Sequence, residues 1–134
     1  MMKDRSREMA VMEFNKAFDH PIDTRMTVDE LMLRFEFIRE EFEEFSLEVH
    51  NAGWRLSHGK PPDNLENLLK ELTDLQYVVS GFAVVFGLPL QVAFNRVHQS
   101  NMSKLGDDGK PIKRDDGKVL KGPNYKEPNL KDLI

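Results

Sequence analysis

No cysteine occurs among the 134 residues, which excludes a disulfide framework, a thiolate zinc site and a cysteine nucleophile. No uncharged stretch approaches the roughly 18 residues needed to span a membrane. The opening MMKDRSREMAVMEF lacks the apolar run of a secretory signal. Glycine-rich loops of the GxxxxGK[ST] kind are missing too, and no Ser/His/Asp set is evident. The Glu-x-x-His pairs of di-iron bundles are absent, because the residues three before His20, His50, His58 and His98 are Ala17, Leu47, Arg55 and Asn95. Positive charge is not in excess: 19 Lys and Arg against 23 Asp and Glu give −4, which argues against a nucleic-acid coat protein. The expectation is a cytoplasmic protein with neither a nucleic acid nor a membrane as partner.

What is present suits one folded domain. Hydrophobic residues make up 40% and charged residues 31%, enough apolar material for a core and too much for a disordered chain. Charge is unevenly placed. From Lys104 to Ile134 there are eight Lys and Arg against six Asp and Glu, so the remaining body is acidic. An acidic body suits the holding of cations, and a basic tail suits the meeting of anions.

Periodicity and punctuation predict four helices. The first covers Asp4 to Phe18, with Met9, Met12, Phe14 and Phe18 as partial apolar spacing, and stops before His20-Pro21. The second begins at Thr27, with Glu30 three residues on as a capping box. Along it Leu31, Phe35, Ile38, Phe42, Phe45 and Val49 form an apolar stripe at steps of four and three. It is expected to end near Asn51 to Gly53 and to give way to a loop from Trp54 to Pro62. The third opens with Asp63 as N-cap and Glu66 in the box position, is apolar over a wide arc, and stops at Gly87 as C′ residue. The Met and Phe residues of these stripes are read as core. Pro89 suits the first turn of a fourth helix that reaches about Ser103.

Beyond Gly106 the pattern Asp107-Asp108-Gly109-Lys110 returns as Asp115-Asp116-Gly117-Lys118, which suggests turns or a short hairpin. The fold class is therefore all-α: a four-helix bundle with an irregular C-terminal extension. The expected division is a helical catalytic domain over 1–104 and an extension over 105–134 packed on or over it.

Two acidic pairs stand out. Glu41 and Glu44 are three residues apart on the second helix, so they project together from one flank of its stripe. Glu71 and Asp74 repeat that spacing on the third helix, which offers few positions for a charge. Alone, the run Glu40 to Glu44 reads equally well as a solvated face, and Glu71 with Asp74 as a surface edge. Together, on adjacent antiparallel helices, the pairs can face each other. Four clustered carboxylates repel and carry raised pKa values unless a cation neutralises them. Mg²⁺, hard and oxygen-seeking, is the fitting ion, and Mn²⁺ can substitute.

The pattern EExxE at Glu40, Glu41 and Glu44, followed by ExxD at Glu71 and Asp74, resembles the MazG-like all-α NTP pyrophosphohydrolase superfamily, which includes the phosphoribosyl-ATP pyrophosphohydrolases. The likeness runs from about Thr27 to Lys104. It implies hydrolysis of an NTP or dNTP to the monophosphate and pyrophosphate, with Mg²⁺ held by Glu41, Glu44, Glu71 and Asp74. It also implies Glu40 as the base for the attacking water, and a homodimer or homotetramer. Two ExxE registers are available, 40/43 and 41/44; the second matches the family order and places both groups beside Phe37 and Phe45. Asn101 and Lys104 resemble the positions that meet the nucleotide, although a polar helix face reads as well for Arg96, His98, Asn101 and Lys104. Trp54 is a candidate for stacking on a base or for plugging a core or interface. Lys118, Lys121 and Tyr125 read as a solvated tail. The rivals are phosphoribosyl-ATP hydrolysis and, from another class, a non-catalytic helical oligomerisation module.

Overall fold

Ser6 starts the first helix by accepting a hydrogen bond from the Met9 N–H, and α1 follows over Arg7–Ala17. The computed structural model describes residues 6–134, so the expected start at Asp4 lies outside the described residues. Thr27 caps α2 as expected, its side chain accepting from the Glu30 N–H, but the helix runs through Val28–Ser57. Gly53 does not end it. An interior glycine weakens a helix by only about 1 kcal/mol, and the stop falls instead at Gly59, left-handed at φ +70°. Its N–H closes back onto the Leu56 carbonyl. Trp54 thus belongs to the last turn of α2 rather than to a loop.

The third helix, α3, spans Leu65–Val85. Its cap is Asn64, which accepts from the Asn67 N–H, and not Asp63. The Asp63 carboxylate lies 3.4 Å from Arg55 Nη1 instead. At the far end Gly87 takes φ +64°, and a side chain there would run into the Asp23 carboxylate. The segment linking α1 to α2 closes over this end of α3. Asp23 and Thr24 donate their N–H groups to the Val84 and Val85 carbonyls at 3.0 and 2.7 Å, which satisfies acceptors that a helix end leaves open.

The chain divides into two compact units, Met1–Leu88 and Pro89–Ile134. In the first, α3 packs against both α1 and α2. Its buried apolar residues are Val11, Ala83, Val84, Val85 and Phe86, all on α1 or at the end of α3. Of the stripe residues expected as core, those at the end of α3, Phe86 among them, are buried, whereas those of α2 and several of α1 are not core within the single chain. No residue of α2 is buried; Phe35 and Phe42 are 50% and 55% exposed, and Met9, Met12 and Phe18 are exposed as well. The reason is geometric: α2 meets α3 along one side only, so the outer half of its wide apolar arc faces outward.

The second unit begins with α4, Leu90–Met102, which follows Pro89 and ends at Ser103. The Arg96 guanidinium grips Asp132 at 2.5 and 2.9 Å and the Asn129 carbonyl at 3.0 Å. Buried Ser100 donates to the Lys126 carbonyl. These bonds lash the extension to α4. The second Asp-Gly pair turns the chain so that Lys113 and Val119 form a single antiparallel bridge, and a short 3-10 turn, Lys131–Leu133, closes the chain. Among the described residues no strand forms and the fold is all-α.

Candidate metal centre

Helices α2 and α3 run antiparallel, since Glu48 bonds to Asn67 while Glu41 and Glu44, earlier on α2, meet Glu71, later on α3. Glu41, Glu44 and Glu71 each present a carboxylate oxygen, and these oxygens lie within 4.8 Å of one another. Glu71 is buried and Glu41 half-buried, whereas Glu44 remains open to solvent. Asp74 sits one turn beyond Glu71 and its charge also reaches Glu41.

This arrangement is electrostatically unfavourable by itself. Burial pushes the Glu41 pKa up, and the charges of Glu44, Asp74 and Glu71 add to the rise. One buried oxygen on Glu41 and one on Glu71 have no hydrogen-bond partner, although buried polar atoms in folded proteins nearly always find one. The deficit is of cations. Lys70 covers part of it: its ammonium lies 2.9 Å from Asp74 Oδ2 and 3.3 Å from Glu71 Oε1, and these carboxylates raise its pKa. Hard oxygen donors, two of them unpartnered, fit a divalent ion such as Mg²⁺ or Mn²⁺.

Glu40 is exposed on the neighbouring flank of α2, and Glu43 is exposed too. Trp54 is 57% exposed, stacks on His58 at 4.2 Å, and is ten residues beyond Glu44, about 15 Å of helical rise. The structure does not bring it to the carboxylates. Asn101 is exposed on the last turn of α4 and Lys104 follows that helix, its carbonyl accepting from the Gly122 N–H at 2.9 Å. Lys70 was not singled out from the sequence. The available signal was its place directly before Glu71 and four residues before Asp74, a spacing at which opposite charges on a helix meet.

A family model described as phosphoribosyl-ATP pyrophosphohydrolase matches residues 11–101. The chain belongs to this family, whose members are hydrolases acting on acid anhydrides, and the matched span contains both acidic pairs. A candidate NTP pyrophosphohydrolase from Exiguobacterium sp. 255-15, known as a crystal structure, is similar at 28% identity over 96% of this chain and 92% of that one, with a TM-score of 0.46. No curated protein sequence matches the chain.

Proposed function

We propose that the protein is a Mg²⁺-dependent pyrophosphohydrolase that converts an NTP or dNTP to the monophosphate and pyrophosphate. The observation that carries this reading is the carboxylate cluster of α2 and α3, with its unpartnered buried oxygens, inside a chain of a pyrophosphohydrolase family. Glu41, Glu44, Glu71 and Asp74 would hold the metal, which when bound supplies charge neutralisation for a triphosphate and a water of lowered pKa. Glu40, next to the cluster and open to solvent, accepts the proton of the attacking water as general base. The water oxygen bonds to the α- or the β-phosphorus, the anhydride bond from that phosphorus to the bridging oxygen breaks, and the departing pyrophosphate or monophosphate takes the electron pair. No covalent enzyme intermediate is needed. Asn101 and Lys104 are assigned to phosphate or sugar, with the Lys104 ammonium as a point charge.

The matched family favours a second reading, in which the nucleotide is phosphoribosyl-ATP and the metal site is the same. A panel of NTPs, dNTPs and phosphoribosyl-ATP, scored for pyrophosphate release with Mg²⁺ and with chelator, separates the two. Hydrolysis in ¹⁸O-water tests the bond: label in the monophosphate or pyrophosphate supports the proposal, while labelled orthophosphate beside a diphosphate refutes it.

The same reading includes a homodimer or homotetramer. Val28, Phe35, Phe42, Val49 and Leu56 recur every seventh residue along α2 and are all exposed, a heptad face suited to another helix. A second copy of the chain is the occupant proposed, and a compact monomer in sedimentation at micromolar concentration would contradict it. No single helix among the described residues is long and apolar enough to cross a membrane, and we place the enzyme in the cytoplasm, acting on free nucleotide.

A further inference from the structure

The carboxylate seam carries a cation of its own, and helix geometry alone does not explain its placement. Lys70 is the sole Lys or Arg of α3. The three arginines of α2 are turned elsewhere, Arg34 to Glu30, Arg39 to Glu36 and Arg55 to Asp63. Consecutive helix residues point about 100° apart and do not face each other. The Lys70 ammonium nevertheless lies 3.3 Å from Glu71 Oε1 as well as 2.9 Å from Asp74 Oδ2. In the pair with Asp74 the basic residue precedes the acid, the weaker order for an i, i+4 pair. It is the massed acids that draw Lys70 round to the seam.

The contact is unequal. The Glu71 side chain is 10% exposed and that of Lys70 61%, so the acid is fixed by packing while the ammonium hangs on a flexible stem in water. It engages Glu71 Oε1 and one oxygen of Asp74, and the second oxygen of Glu71 stays buried without a partner, as does one of Glu41. Among the described residues no ion pair reaches Glu41 or Glu44. The two acids of α3 are therefore neutralised in part and the two of α2 are not. A divalent ion held by both helices needs the oxygens that Lys70 occupies, and two cations repel at that range.

We infer that Lys70 is a resident counter-ion that holds the α3 half of the site in the absence of metal and must swing out for a divalent ion to bind, so that it sets the metal affinity. The inference rests on the metal-dependent reading above and deepens it by naming the group that opposes the metal. Affinity for a site that is competent only part of the time falls by the competent fraction. With Lys70 engaged for about nine-tenths of the time, the loss is about tenfold. The same contact steadies the empty seam, because it offsets repulsion among the carboxylates. One side chain thus moves stability and metal affinity in opposite directions, which an ion pair away from the site does not.

The test is calorimetric titration of the metal-stripped full chain with Mn²⁺, beside thermal melts in chelator, for the wild type, Lys70→Met and Lys70→Arg. The side chain is exposed, so both variants should fold. Lys70→Met should bind Mn²⁺ about tenfold more tightly than wild type and melt lower in chelator. Lys70→Arg keeps the charge but grips carboxylates with a fork of two N–H groups; it should bind Mn²⁺ at least about threefold more weakly than wild type and melt no lower. Equal affinity of the wild type and Lys70→Arg, beside a tighter Lys70→Met, would reduce Lys70 to a nearby charge and overturn the displacement. Affinity unmoved in both variants would make the contact a plain surface ion pair and overturn it as well. If no form binds Mn²⁺, the counter-ion role and the metal-dependent reaction fail together. The expected order of affinities without pyrophosphate release from any nucleotide would leave the inference standing and refute the reaction.

Discussion

In the second unit, two acids meet guanidinium groups. Asp132 accepts both prongs of Arg96 and Asp116 both prongs of Arg114, and these partners hold each carboxyl below its usual pKa. In the first unit, acids meet acids. Glu41 faces Glu44, Asp74 and Glu71, its pKa is driven up, and buried oxygens stay unpartnered. The two regions use the same residue types to opposite effect. Paired acids fasten a tail at small cost because both partners remain near water. Massed acids on a packed helical seam oppose folding, and a chain gains from them only when something cationic arrives. On that contrast we place the proposed site in the seam.

The sharpest way to break the contrast is through turnover. Glu71→Gln or Asp74→Asn should leave the fold intact and abolish pyrophosphate release, a larger loss than that from any other change below. A variant of either kind that retained wild-type kcat would show the massed acids to be mere surface. Next in size is Glu40→Gln, which should lose about 10²–10⁴-fold in kcat, as general bases do, while its stabilisation by Mg²⁺ survives. Loss of that stabilisation together with turnover would instead place Glu40 among the ligands.

A smaller effect is thermodynamic. Mg²⁺ or Mn²⁺ at a hundred times its Kd should stabilise the wild type by about 2.7 kcal/mol, seen as a higher Tm that chelator reverses. Glu41→Gln should lose most of this gain, and Asp132→Asn none. An inert helical module would show no metal-dependent shift in any of the three.

Much of this contrast was legible in the sequence, and the reason is local. Capping at Thr27, the stop at Gly87 and the i, i+3 carboxylates are rules of one helix, readable without a partner. The juxtaposition of Glu41, Glu44 and Glu71 followed once two antiparallel helices were granted. What failed depended on packing or on choosing between equivalent signals. Gly53 and Gly59 both punctuate α2, and only the left-handed turn at Gly59 ends it. Asp63 and Asn64 are both good caps, and Arg55 draws Asp63 away. Phe35 and Phe42 belong to an apolar stripe, but periodicity does not say whether the facing surface comes from the same chain.

The finest test sets one acid of each region against the other in the absence of metal. Glu41 has a folded-state pKa above its unfolded value, so its contribution to stability is fully present at low pH and is lost as pH rises through the raised value. At pH 7 its ionised form opposes folding. Glu41→Gln should therefore raise the chelated protein's Tm at pH 7, by about a degree or two, with the gain shrinking as pH falls into the carboxyl range. Asp132 has the reverse sign. Its pKa is lowered by Arg96, so its contribution is present above the ordinary carboxyl range and fades as pH falls through the lowered value. Asp132→Asn should lower Tm at pH 7, and by less than about a degree, because both partners of this ion pair are open to solvent screening. Thermal melts of the two variants across pH 3 to 7 need only their signs compared. If both substitutions shift Tm in the same direction at pH 7, then the acids of the seam are no more frustrated than those of the tail, and the distinction between a site awaiting a cation and a surface already neutral fails.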